Sequence, residues 1–216
     1  MSSFLLKIVA IFTMTLDHAG FILFNNNFIL RALGRIAMPI FAFQIGLGFK
    51  KTRSKLKYIF RLFLTALISQ IPYSLMLRAG NVSSFSLNIC FTFTFALLAL
   101  YFIDLGKTNK IFYPVSLFLI LLSGFIPMDY DIYAVLLVLM FYFYHEKKLI
   151  YTLGMALIAI SYYFTQNNFI QLYMLLALPF FYLFNGKKGK NLKYVFYVFY
   201  PLHMLIISLI HYFINV

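Results

Sequence analysis

The chain has 216 residues, of which 63% are hydrophobic and only 11% are charged, and its formal net charge is +13. Soluble domains carry about 45–50% apolar and about 25% charged residues, so a water-soluble core of this size cannot hide so much apolar surface. We therefore interpret residues 1–216 as a single integral membrane domain with lipid as its solvent. The basic residues lie between apolar runs, where they set membrane topology, and this excludes a nucleic-acid-binding protein.

Nine apolar runs are present, and we interpret each as a membrane-spanning helix. They lie at 4–24, 29–49, 58–77, 87–105, 111–127, 131–144, 149–165, 168–184 and 194–214. The first four runs and the last are long enough to cross a bilayer, whereas those between 111 and 184 are short. The predicted fold class is an all-α, polytopic transmembrane helical bundle of about nine spans.

The loops between these runs alternate in charge. Every second loop is basic, and the four basic loops together hold 13 of the 18 Lys and Arg residues. Because positively charged loops stay in the cytoplasm, we expect the N-terminus inside and the C-terminus outside.

Four ionisable residues fall inside the first two runs, where each costs about 2.5–3.5 kcal/mol at a span centre. Asp17 and His18 lie on the first span, and Arg31 and Arg35 on the second. The predicted topology places all four at a similar depth in the outer half of the membrane. An Asp–Arg pair that only joins two helices is one interpretation, but a neighbouring histidine and a second arginine favour a functional site.

Two further residues are candidates for the same site. Lys7 precedes His18 by eleven residues, which puts both on one helical stripe about 16 Å apart. A lysine at that position is either a membrane anchor or a phosphate ligand at the cytoplasmic mouth. His203, near the middle of the last span, is either a structural histidine or a member of the site. The sequence has no P-loop, GxGxxG, CxxC or HExxH pattern, so no metal site is predicted.

The stretches that carry these residues resemble the TraX family of membrane proteins, which is named after a factor required for pilin N-acetylation. The matching stretches are KIVAIFTMTLDHAG, LRALGRIAMPIFAFQIGLGF, RLFLTALISQIPYSLM, LNICFTFTFALLAL, DYDIYAVLLVL and KYVFYVFYPLHMLII. More distantly, the chain is similar to the multispan membrane acyltransferases, which separate a basic residue and a histidine of the first span by ten residues. Lys7 and His18 have this spacing, with lysine where arginine is usual.

The resemblance implies an acetyl-CoA-dependent acetyltransferase of the bacterial plasma membrane that modifies the N-terminus of a small exported peptide or pilin-like protein. It implies catalytic roles for His18, Asp17 and His203, and donor or acceptor binding by Lys7, Arg31 and Arg35. Three alternatives stay open: an O-acetyltransferase of a surface glycan, a proton-coupled transporter, and a non-enzymatic membrane chaperone or immunity protein. The sequence leaves the oligomeric state open.

Overall fold

A computed structural model describes residues 1–190 and 193–215 and is helical along most of this length. The helices are α1 (Ser3–Ile22), α2 (Phe28–Gly34), α3 (Ala37–Lys51), α4 (Lys55–Ala79), α5 (Ile89–Gly106), α6 (Phe112–Leu122), α7 (Asp131–Tyr144), α8 (Lys148–Gln166), α9 (Leu178–Tyr182) and α10 (Lys193–Asn215). A 3-10 helix (Phe169–Ala177) runs directly into α9. The described residues contain no β-strand, so the all-α class is confirmed.

These helices reproduce the nine apolar runs, because α2 continues into α3 and the 3-10 helix into α9. Within the described residues, six helical stretches are long and apolar enough to cross a membrane: Ser3–Ile22, Phe28–Lys51, Lys55–Ala79, Ile89–Gly106, Lys148–Gln166 and Val195–Ile214. The other three, Phe112–Leu122, Asp131–Tyr144 and Phe169–Tyr182, are shorter. A helical membrane protein is therefore supported, while the count of nine spans stays a prediction.

The regular α-helix is interrupted where α2 ends and α3 begins, at Arg35 and Ile36. Pro39 lies four residues after Arg35 and has no N–H to donate to the Arg35 carbonyl, so the regular hydrogen-bond ladder cannot continue there. Arg35 therefore lies at the end of α2, and the largely buried α3 follows it.

The core is built around α3, which packs against α1, α7 and the 3-10 helix. Phe43 of α3 lies at its centre and contacts the rings of Phe141, Phe181 and Phe184. On the outside of the bundle, α4 exposes a continuous apolar stripe, as expected of a lipid-facing helix. The stripe consists of Phe60, Leu64, Ile68, Ile71 and Leu75.

The start of α1 is fixed to the basic loop between α9 and α10. The backbone N–H groups of Ser3 and Phe4 donate to the carbonyls of Lys187 and Lys188, at 2.8 and 3.1 Å. The first turn of α1 and this loop therefore lie at the same end of the bundle. Lys193, which the sequence places in the same basic loop, begins α10, and its side chain lies outside the described residues.

The predicted orientation can be tested with single cysteines in a Cys90→Ala background. Ser83→Cys and Gln166→Cys lie in loops predicted to be outside, and Asn109→Cys and Glu146→Cys in loops predicted to be inside; all four positions are exposed. We expect an impermeant thiol reagent to label only the first pair in intact cells and all four after permeabilisation. Labelling of Asn109→Cys in intact cells would overturn the orientation.

Candidate functional site

A cavity of about 650 Å³ runs through the bundle between α1, α3, α4, α5 and α10. Ser3 and Phe21 both line it, so it follows α1 over eighteen residues, or about 27 Å. One end opens between the basic loops at Lys51 and Lys188, and the other reaches Arg31 and Tyr130. A cavity of this size can hold a ligand as large as a drug molecule.

A buried ion-pair cluster joins α1 to α2 at the second end of the cavity. The carboxylate of Asp17 accepts a hydrogen bond from the Nη2 group of Arg35, and both residues are only 7% exposed. Arg31 approaches the other carboxylate oxygen, with 3.4 Å between its Nε and Asp17 Oδ1. Both arginines therefore contact Asp17, as expected from the similar membrane depth that the sequence predicted for the three residues. Breaking such a pair leaves an uncompensated buried charge, at a cost of about 3–5 kcal/mol.

The two arginines differ in how completely their donors are used. Arg35 donates to Asp17, to the hydroxyl of Tyr130 at 2.7 Å and to the side-chain oxygen of Gln171 at 3.4 Å. Arg31 lies over the ring of Phe21, and among the described residues its terminal Nη groups have no hydrogen-bond acceptor. Arg35 therefore holds the site together, whereas Arg31 keeps donors for a ligand in the cavity.

His18 lies next to Asp17 but points in another direction, since consecutive residues on a helix are about 100° apart. Its Nδ1 is 2.8 Å from Nε2 of His203 on α10. The two rings are nearly parallel, with an interplanar angle of 9° and centroids 5.0 Å apart. Because the two nitrogens are much closer than the ring centres, the imidazoles meet edge to edge through a hydrogen bond. The first and last helices of the chain therefore supply one histidine pair.

The contacts of His203 define which nitrogen of His18 remains free. Nδ1 of His203 lies 2.9 Å from the carbonyl oxygen of Phe199, which can only accept, so this nitrogen carries a hydrogen. With both rings neutral, Nε2 of His203 is then an acceptor and Nδ1 of His18 donates to it. The lone pair of His18 is left on Nε2, in a side chain that lines the cavity. This arrangement is that of a general base oriented by a second histidine.

The opposite end of the cavity is basic. Lys7, Lys51, Arg61 and Lys188 all line it. Two buried donors there, Nε of Arg61 and the Nε2 amide of Gln44, have no hydrogen-bond partner within the described part of the chain. Buried polar groups are nearly always hydrogen-bonded, so these donors indicate a place for a ligand with acceptor oxygens. Lys7 lies here with its ammonium over the ring of Phe196. Lys7 and His18 both line the cavity, in agreement with the prediction that they share one face of the first helix.

The structure brings five of the six predicted site residues to one end of the cavity and leaves Lys7 at the other. Sequence reasoning missed Tyr130 and Gln171, which carry no recognisable signal as arginine partners. It also missed Arg61, although a charged residue inside the third apolar run was a usable signal. Asp131 accepts a hydrogen bond from the Met128 N–H and so stabilises its own loop.

The fold and this cavity define a polytopic helical protein with an internal polar site of the kind found within membranes. The profile of one family, described as "TraX protein", matches residues 2–211, and the chain belongs to this TraX family. It is 30% identical to a probable fimbrial assembly protein, FimC, of Dichelobacter nodosus, with 95% of this chain and 94% of that one aligned. It is also 33% identical to an uncharacterized protein of Rickettsia prowazekii (strain Madrid E) over 42% of this chain and 36% of the other. No solved structure matches the chain significantly.

Gly34 allows the close approach of α1 and α2 that brings Asp17 to the arginines. A Cβ built on Gly34 would overlap the side chain of Asp17 and lie 2.7 Å from its Cα. We expect Gly34→Ala to force the two helices apart and to destabilise the protein by roughly 1–3 kcal/mol, as overpacking does. Thermal unfolding in detergent measures this effect.

Gly124→Ala is the matched control, because a Cβ on Gly124 has its nearest heavy atom at an ordinary 3.4 Å. Equal unfolding temperatures for Gly34→Ala and Gly124→Ala would mean that the contact between α1 and α2 tolerates a methyl group.

Proposed function

We propose that this protein is a membrane-embedded acetyltransferase that moves an acetyl group from acetyl-CoA to an acceptor on the other side of the membrane. The observation that carries this proposal is His18, which lines a cavity whose far end is basic and is hydrogen-bonded to His203 behind it. An oriented histidine at one end of the cavity and basic side chains at the other end match acetyl-CoA, which carries its thioester and its phosphates at opposite ends. The TraX family, to which the chain belongs, is named after a factor required for pilin N-acetylation, and this name agrees with the proposed reaction.

The donor would enter from the side predicted to be cytoplasmic. Its phosphates would lie among Lys7, Arg61 and Lys188, and the unpartnered Nε of Arg61 would donate to a phosphate oxygen. Lys7 binds phosphate as a point charge, whereas the planar fork of Arg61 can bind two oxygens at once. The pantetheine arm would then extend along α1 toward His18, about 16 Å deeper.

At the inner end of the arm, Nε2 of His18 would take a proton from the acceptor as it attacks the thioester carbonyl. His203 would hold the imidazole of His18 in the required tautomer and share the charge that develops on it. The free donors of Arg31 would stabilise the oxyanion of the tetrahedral intermediate, a contribution of about 2.7–4 kcal/mol where one such donor has been removed in another enzyme. His18 would finally return the proton to the departing thiolate.

We propose the N-terminal amine of an exported peptide or pilin-like protein as the acceptor. The name of the Dichelobacter nodosus relative, a probable fimbrial assembly protein, supports an acceptor of this kind.

Acetyl-CoA turnover by the purified protein in detergent tests the role of His18. Loss of a general base typically reduces the rate about 10²–10⁴-fold, and we expect His18→Ala to do so while remaining folded. His203 acts through His18, so His203→Ala should lose only about tenfold, near the upper limit for one neutral hydrogen bond.

A conservative variant separates positioning by His203 from simple packing. The side-chain oxygen of His203→Gln can still accept from Nδ1 of His18, so this variant should recover most of the activity that His203→Ala loses. Full acetyl-CoA turnover in a folded His18→Ala protein would refute the proposed mechanism.

The basic end should determine donor affinity and not the chemical step. We expect Lys7→Glu and Arg61→Glu each to raise the KM for acetyl-CoA by about tenfold or more, because a charge-assisted hydrogen bond contributes about 1.5–3 kcal/mol. Losing a uniform binding contact raises KM while kcat is largely kept. The measurement is the rate against acetyl-CoA concentration.

Lys110→Glu is the charge-matched control. Lys110 lies in another basic loop, is exposed and does not line the cavity. A similar rise in KM for Lys110→Glu would mean that the overall charge of this face, and no defined phosphate site, attracts the donor.

A further inference from the structure

Asp129 is a second acidic residue in the cavity wall, and the reaction described above does not use it. It lies in the loop between α6 and α7, next to Tyr130. Asp129 lines the cavity, yet within the described residues its carboxylate makes no hydrogen bond. The neighbouring acid Asp131 accepts from the Met128 N–H and does not line the cavity. Asp129 in the loop and Asp131 at the start of α7 therefore differ in their contacts.

The backbone of Asp129 is held firmly, so its side chain has a defined position. Its N–H donates to the carbonyl of Leu87 at 2.8 Å, and its own carbonyl accepts from the hydroxyl of Thr92 at 2.8 Å. The next two residues, Tyr130 and Asp131, both adopt left-handed φ angles of 61° and 41°. Such conformations are costly for residues other than glycine and cluster at functional sites.

The surroundings of Asp129 suit a cationic or amine group. Tyr73, Tyr130 and Tyr200 line the same part of the cavity and interact electrostatically with its carboxylate. Aromatic faces together with a carboxylate are the usual environment for an organic ammonium. Arg35 connects this group to the histidine site, because it donates both to Tyr130 and to Asp17, which precedes His18.

We propose that Asp129 binds the ammonium group of the acceptor and takes its first proton. This inference rests on the proposed acetyltransferase function and names the part of the site that selects an amine. An ammonium must lose two protons to become an amide, and His18 can hold only one of them at a time. Two bases in one cavity meet this requirement.

The steps balance as follows in atoms and charge. Asp129 takes one proton from R–NH₃⁺ and leaves R–NH₂, whose lone pair forms the C–N bond with the acetyl carbon of the thioester. The C–S bond breaks, and His18 transfers the second proton from nitrogen to the CoA thiolate. The protonated Asp129 then releases its proton, so the products are R–NH–CO–CH₃, CoA–SH and H⁺.

The proton affinity of Asp129 agrees with this role. Burial raises the pKa of this loop carboxyl to about 7, although Arg35 opposes the shift. A carboxyl with a pKa near neutrality can both accept a proton from an α-amine and release it to water. An ordinary aspartate with a pKa near 3.9 would bind the ammonium without deprotonating it.

The test uses the purified full-length protein, acetyl-CoA and two synthetic hexapeptides that differ only at the N-terminus. One begins with a free α-amine, and the other with a 4-aminobenzoyl group whose aryl amine is neutral at neutral pH. We expect Asp129→Asn to raise the KM for the α-amine peptide at least tenfold and to leave the KM for the aryl-amine peptide within about twofold. The backbone contacts of residue 129 do not depend on its side chain, so the fold should be kept.

Asp131→Asn is the matched control, because an asparagine oxygen can still accept from Met128, and it should behave as wild type with both peptides. Equal KM values for Asp129→Asn and wild type with the α-amine peptide would overturn the proposal. An equal loss with both peptides would overturn it too, since a purely structural role predicts that result. A wild-type protein that hydrolyses acetyl-CoA but acetylates neither peptide would also refute the amine site, whereas absence of hydrolysis would refute the proposed function itself.

Discussion

The ion pair between Asp17 and Arg35 is the interaction on which the site depends. Two charges this deeply buried persist only if each is paired and hydrogen-bonded, and both are. Because the pair fixes how α1 is rotated against α2, it also fixes the direction of His18, about 100° away on α1. Arg35 continues the connection to Tyr130 in the loop before α7. One guanidinium thus sets the relative positions of α1, α2 and the loop that carries Asp129.

Much of the fold could be predicted because membrane insertion leaves strong marks in a sequence. The nine apolar runs coincide with nine helical stretches of the described chain to within a few residues at most ends. The principal exception is the run at 111–127, whose helix ends at Leu122. Ser123, Gly124 and Pro127 follow, and these residues favour the end of a helix over its continuation. Hydropathy alone counts them with the apolar residues around them.

Only those contacts of the site that join neighbouring segments of the chain could be predicted from the sequence. Asp17, Arg31 and Arg35 lie on consecutive spans joined by a short turn, so topology and depth were enough to bring them together. The contact between His18 and His203 joins residues 185 positions apart. No pattern within a single helix specifies that the last helix packs beside the first, since that choice depends on the shapes of all the helices between them. The difference in hydrogen bonding between Arg31 and Arg35 likewise depends on Tyr130 and Gln171, which come from distant parts of the chain.

In the proposed reaction, the difference in charge between the two ends of the cavity would keep the donor and acceptor groups from competing for one site. The cationic residues near the start of α1 would attract phosphates, and the acidic and aromatic groups near its other end suit an amine. An ammonium would be repelled by Lys7 and Arg61 at the basic end. At the other end the charges of Arg31 and Arg35 are balanced by Asp17 and Asp129, so phosphates would be attracted less strongly there. Between them lies mostly apolar wall, where both charges would lose their hydration. In the proposed reaction, the uncharged acyl-pantetheine arm would occupy that stretch at low cost, and its thioester would reach His18.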